Sequence, residues 1–135
     1  MQVIMDTGPW VALIDRSEAM HKKCIEWLRQ FKGYIFSSEA VLTEVLYLLN
    51  FSSKAQSAAI DFVLKGAITL VPLSLESLKK TKTLMEKYKD IPMDYADATL
   101  VCLAEDLSIY HVITFDSKHF GIYRLTRRQP FVIFP

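Results

Sequence analysis

Gln2-Val3-Ile4-Met5-Asp6-Thr7-Gly8-Pro9 is the stretch on which the reading of this chain turns. Val3-Ile4-Met5 is a short apolar, strand-like run. It ends on an acid, and Pro9 behind Gly8 opens a helix, since proline suits the first helical turn. A strand that gives way at once to a helix is the opening unit of an α/β domain. In open α/β sheets ligands bind beyond the carboxyl ends of the strands, the position Asp6 occupies.

The same alternation runs on through the chain. Glu18–Phe31 reads as a second helix closed near Gly33, and Tyr34-Ile35-Phe36 as a second strand. Ser37 or Ser38 caps a helix to about Asn50, and Ser52 or Ser53 another to about Lys65. Ala67–Val71 reads as a strand ended by Pro72, and Ser74 to about Lys89 as a charged, exposed helix. Ile91-Pro92 forces an extended turn, after which Asp94 starts a helix that ends near Leu107. Tyr110–Ile113 and Phe131–Phe134 complete the strands. The pattern predicts an α/β fold with a mostly parallel sheet. No repeat, low-complexity tract or linker divides residues 1–135, so a single domain is expected.

Bulk properties fit that expectation. Hydrophobic residues make up 51% and charged residues 23%, which is too apolar for disorder. No run reaches the roughly 18 apolar residues of a membrane span. The N-terminus has no signal-peptide pattern, and Cys24 and Cys102 read as buried reduced thiols, which together imply a cytoplasmic protein. A net charge of +1 gives no global signature of nucleic-acid binding. Locally, Lys118, His119, Arg124, Arg127 and Arg128 crowd the C-terminal stretch. Beside an acidic pocket, such a rim suits a phosphate-backbone substrate, and Lys118, Arg124, Arg127 and Arg128 are candidate contacts to that backbone.

Four acids stand in apolar surroundings: Asp6, Glu44, Asp97 and Asp116. Desolvating a carboxylate is expensive without a partner, and no set of basic residues interleaves with these four. A shared divalent cation is the simplest partner. Asp116 follows His111-Val112-Ile113-Thr114-Phe115, so it too closes a strand, and Thr7 and Thr114 add hydroxyls nearby. On a helical wheel Asp97 lies about 60° from the centre of the apolar face made by Leu100, Val101, Leu103, Ala104 and Leu107. Asp94 falls about 120° away, on the border, as an N-cap or supporting acid. Glu44 sits roughly 120° from its helix's apolar stripe, and its claim rests on the company of the other three. His21, His111 and His119 show no paired ligand spacing, which argues against zinc. An oxygen-only donor set favours Mg²⁺ or Mn²⁺.

Taken in order, Val3-Ile4-Met5-Asp6-Thr7-Gly8, Glu44, Met93-Asp94-Tyr95-Ala96-Asp97-Ala98 and Val112-Ile113-Thr114-Phe115-Asp116 with His119-Phe120 resemble a PIN domain. More closely they resemble the VapC-like toxin ribonucleases of toxin–antitoxin pairs, over nearly the whole length. The resemblance implies a three-layer α/β/α sandwich and a Mg²⁺- or Mn²⁺-dependent endoribonuclease. It implies Asp6, Glu44, Asp97 and Asp116 as catalytic acids, with Asp6, Asp97 and Asp116 on the metal and Thr7, Asp94 and Thr114 in support. It further implies a homodimer silenced by a protein antitoxin. Two alternatives keep the fold: an RNA-processing nuclease with no toxin role, and a catalytically weak PIN binding module. A receiver domain fits poorly, because Ala67–Val71 ends without an acceptor aspartate. A dehalogenase-like phosphatase fits poorly too, because Asp6-Thr7-Gly8 lacks a second acid.

Overall fold

A computed structural model describes all 135 residues. Five strands, β1 (Gln2–Met5), β2 (Tyr34–Ser37), β3 (Thr69–Leu70), β4 (His111–Ile113) and β5 (Val132–Phe134), form one sheet in the order β3-β2-β1-β4-β5. Every pairing is parallel, with Ile4 opposite Phe36 on one side and Val112 on the other. Seven helices connect them: α1 (Thr7–Ile14), α2 (His21–Gln30), α3 (Glu39–Leu48), α4 (Ser53–Leu64), α5 (Leu75–Lys87), α6 (Tyr95–Leu107) and α7 (Ser117–Phe120). Right-handed crossovers place α1–α4 on one face and α5 and α6 on the other, which makes the three-layer α/β/α sandwich.

The strand order positions the site. The chain leaves β1 toward β2 and β3, then crosses back to lay β4 on the other side of β1. The crevice between the carboxyl ends of β1 and β4 is therefore the topological switch point, where open α/β sheets bind ligands. β1 is the axis of the core, with Val3, Ile4 and Met5 fully buried. α6 is nearly as central: Ala96, Ala98–Ala104 are all buried, a helix apolar almost all round. Asp97 is the acid set into it. Cys24 and Cys102 are free and buried, and no helix is long and apolar enough to cross a membrane.

Several boundaries differ from those expected. α1 begins at Thr7 rather than Pro9, because Asp6 caps it by accepting a hydrogen bond from the Thr7 amide at 2.8 Å. α2 begins at His21 rather than Glu18. Asp15 accepts from both the amide and the hydroxyl of Ser17, and this local turn competes with helix. β3 shrinks to Thr69–Leu70, because the Ile68 amide bonds back to the Phe62 carbonyl. α5 is exposed on its outer side but anchored to α6 by buried Thr81 and Leu84 and by Lys80–Asp106 at 2.6 Å. α7 and a 3₁₀ turn over Thr126–Arg128 were not expected at all.

Candidate active site

Two threonines wire the carboxyl edge of the sheet together. Thr114, one residue past β4, donates its hydroxyl to Asp6 Oδ2 at 2.7 Å and accepts from the Asp116 amide at 3.0 Å. Thr7 donates to Glu44 Oε2 at 2.8 Å and so ties the start of α1 to α3. Asp6, Glu44 and Asp116, far apart in sequence, are thereby linked through short hydroxyl bridges. Thr7 and Thr114 are themselves buried, so these bonds are shielded from competing water.

Asp94 caps α6, accepting from the Asp97 amide at 2.8 Å, and stays exposed. Asp97 does not reach back to close a capping box. Its Oδ2 instead accepts from the Tyr123 hydroxyl at 2.8 Å. Burial raises the Asp97 pKa to about 7, the neighbouring charges of Asp6, Asp94 and Asp116 add to the rise, and the Tyr123 bond opposes it. Asp6 is raised as well, by burial first and by Glu44 and Asp94, against the lowering effect of Thr114 and Thr7. Like charges held together out of water leave a proton or a cation to restore balance.

Asp116 is the exception, because a histidine pairs with it. Its Oδ2 lies 2.6 Å from His119 Nδ1, while His119 Nε2 faces the Ile91 carbonyl at 3.2 Å. Both ring nitrogens meet acceptors, an arrangement that favours the protonated ring, and the bond to Asp116 raises the His119 pKa. His119 and Tyr123 extend the expected set. The ring of Tyr123 is packed edge-on by Tyr88 and Phe120 and stacked by His119, which aims its hydroxyl at Asp97. His119 shares a single turn with Asp116, whereas Tyr123 lies beyond the end of α7 and no sequence spacing marks it.

The basic residues separate. Lys118 is exposed on α7 beside His119. The Arg124 guanidinium is held by the carbonyls of Gly121 and Tyr123. Arg127 and Arg128 lie on the exposed 3₁₀ turn, and Arg127 lines a hollow with Glu105, Ser108 and Tyr110. That hollow sits at the carboxyl end of α6 and the amino end of β4. Eight residues of helix, about 12 Å, separate Glu105 from Asp97.

No three acidic, histidine or cysteine side chains already converge as a metal cage. The chemistry of the donors nevertheless fits a hard cation: all are carboxylate or hydroxyl oxygens, and Asp6 and Asp97 are the groups whose charge lacks a partner.

The PIN-domain family model matches residues 3–125. No curated protein is significantly similar in sequence. Among solved structures, the chain resembles the sarcin–ricin-loop-cleaving toxin VapC20 of Mycobacterium tuberculosis, with a TM-score of 0.78 and 20% identity over 85% of this chain and 90% of that one. It also resembles VapBC2 of Rickettsia felis bound to a promoter DNA fragment (TM-score 0.69, 16% identity, 100% of both chains). A third likeness is to a toxin–antitoxin complex from Klebsiella pneumoniae (TM-score 0.66, 18% identity, 89% of this chain and 91% of that one). At such identities the structural likeness speaks for the fold alone, and it agrees with the family match. The chain belongs to the PIN-domain family.

Proposed function

We propose that this protein is a divalent-metal-dependent endoribonuclease, the toxin of a toxin–antitoxin pair. The observation that carries the reading is Asp97, a carboxylate set into a buried helix beside Asp6, Asp94 and Asp116, with its pKa lifted to about 7. A site of this kind is poised for a cation, and burial with like-charge partners is common at catalytic centres. Asp6, Asp97 and Asp116 would hold Mg²⁺ or Mn²⁺, with Thr114 fixing the rotamer of Asp6 and Tyr123 that of Asp97. When bound, such a cation supplies Lewis acidity toward water and toward a phosphoryl oxygen. Glu44, steadied by Thr7, would orient water, and Asp94 would hold the start of α6 in place. Lys118 is the basic residue best placed to meet an RNA phosphate at this edge.

The toxin role draws on the structural neighbours, of which one is an RNA-cleaving toxin and another a toxin–antitoxin complex. Tyr47, Leu48, Phe51 and Leu64 leave an apolar face on α3 and α4 more than half exposed, which an antitoxin helix would cover. A homodimer and a cytoplasmic setting belong to the same proposal. The test is cleavage of single-stranded RNA by the purified chain with Mn²⁺. Asp97→Asn should abolish cutting, whereas Asp94→Asn should keep most of it, since asparagine caps a helix as well as aspartate does. Full activity in Asp97→Asn, or activity that survives exhaustive chelation, would overturn the reading.

A further inference from the structure

A hollow of about 380 Å³ opens beside the acids, lined by Ser38, Glu39, Thr43, Leu73, Tyr95 and Thr99, with Ala40, Val71 and Pro72 completing its wall. It shares its two helices with the acid cluster. Thr43 precedes Glu44 on α3, and Tyr95 and Thr99, two residues either side of Asp97, present the face of α6 turned away from it, so the hollow opens at the same carboxyl edge of the sheet but across α6 from Asp97.

Three of the four hydroxyls lining it, those of Ser38, Thr43 and Thr99, have no protons to offer. Thr99 donates to the Ala96 carbonyl at 2.7 Å, so the 2.8 Å contact between Ser38 and Thr99 must be donated by Ser38. Ser38 also accepts from the Val41 amide, and Thr43 donates to the Glu39 carbonyl at 3.0 Å. The three hydroxyls therefore face a ligand with lone pairs only. Glu39 adds a carboxylate at the mouth and takes part in none of the molecule's ion pairs. The hollow thus offers mainly acceptors, with the Tyr95 hydroxyl and the first amides of α3 as its donors. Tyr95, 42% exposed, supplies an aromatic face at its rim.

We infer that this hollow receives an unpaired guanine base of the RNA. Guanine alone among the four bases carries two adjacent N–H donors, N1–H and the N2 amino group, on its Watson–Crick edge, the pair that a carboxylate accepts together. The amides of Glu39 and Ala40, which have no partner inside α3, can meet its O6. Adenine, cytosine and uracil each bring one donor there and would leave Glu39 facing a lone pair. Because the edge that is read must be free, the substrate is single-stranded or looped, as base recognition in RNA generally requires. A purely structural role for Glu39, as an acid favouring the N-terminus of α3, predicts no base preference. The inference rests on the ribonuclease reading for its substrate but not for its test.

A degenerate single-stranded RNA pool is cut with Mn²⁺ and the ends are sequenced. Guanine should be enriched at one position next to the cut. Glu39→Gln should lower that preference by about tenfold or more, because a site built for two donors then meets one mismatched group. Tyr95→Ala should raise KM by about tenfold with kcat nearly unchanged, and Tyr95→Phe should restore it. In parallel, guanosine, adenosine and uridine are titrated while backbone resonances are followed, with guanosine expected to shift Glu39, Tyr95 and Thr99 most. Cutting without guanine enrichment, or enrichment that survives Glu39→Gln, overturns the inference and leaves the nuclease intact. An uncut pool overturns the nuclease instead, and the titration then decides the hollow: no guanosine preference refutes it.

Discussion

Replacing Asp97 by asparagine should destroy the site's chemistry and strengthen the fold. The folded chain holds the Asp97 proton up to about pH 7, whereas an unfolded aspartate releases it near 3.8. Between those values the folded state binds more protons than the unfolded one, so stability falls as pH rises through the window and levels off above it. A displacement of about three pKa units corresponds to roughly 4 kcal/mol. Asp97 is partly open to water, and screening reduces this to about 2 kcal/mol. Asparagine carries no charge at any pH, and its carbonyl can still accept from Tyr123. In EDTA at pH 8, Asp97→Asn should therefore melt above the wild type by roughly 6–10 °C. The gap should close by about pH 3, below both the folded and the unfolded pKa, where the wild-type carboxyl is protonated in both states. Mn²⁺ at pH 8 should raise the wild type and leave the variant where it was. A variant melting at or below the wild type at pH 8 in EDTA would refute the argument, since no penalty from a buried charge would then exist to relieve.

Tyr123→Phe removes the one hydrogen bond that lowers the Asp97 pKa, so the acid limb of the cleavage profile should move to higher pH and the loss of rate should be largest near neutral pH. Thr114→Val strips Asp6 of a donor and the Asp116 amide of its acceptor; urea unfolding should show a loss of about 1–3 kcal/mol, largely recovered by Thr114→Ser. Arg127→Ala should leave the KM for RNA within about twofold of wild type at low salt, while Lys118→Ala should raise it, because losing a phosphate contact weakens binding and flattens the salt dependence.

What the sequence revealed tracks how local the governing forces are. Val3-Ile4-Met5 and Val112-Ile113 declared themselves as strands because burial on both faces leaves an unbroken apolar run. Asp97 stood out because a helix has a fixed period, and an acid near the centre of its apolar face breaks that pattern. Of the serine pairs Ser37/Ser38 and Ser52/Ser53 the caps are Ser38 and Ser52, and Ser74 and Asp94 cap the helices they were read as starting, since a cap bonds within three residues of itself. Tyr123 was invisible for the opposite reason. It reaches Asp97 across 26 residues from a segment with no regular pattern, and its aim is set by Tyr88 and Phe120. The arginines are close in sequence but separate in space. Arg127 belongs to an excursion that the Arg124–Pro130 bridge turns away from the acids.

The crossover that lays β4 beside β1 also sets the order in which the acid cluster can assemble during synthesis. Asp6 leaves the ribosome well ahead of its partner Thr114, which lies 108 residues later. Asp116, His119 and Tyr123 follow it still further down the chain. A nascent chain can build the β1–β2–β3 half of its sheet and still lack the groups that finish the site. The constellation closes only once the segment that carries Thr114, Asp116, His119 and Tyr123 has been made, long after the first strands can pair.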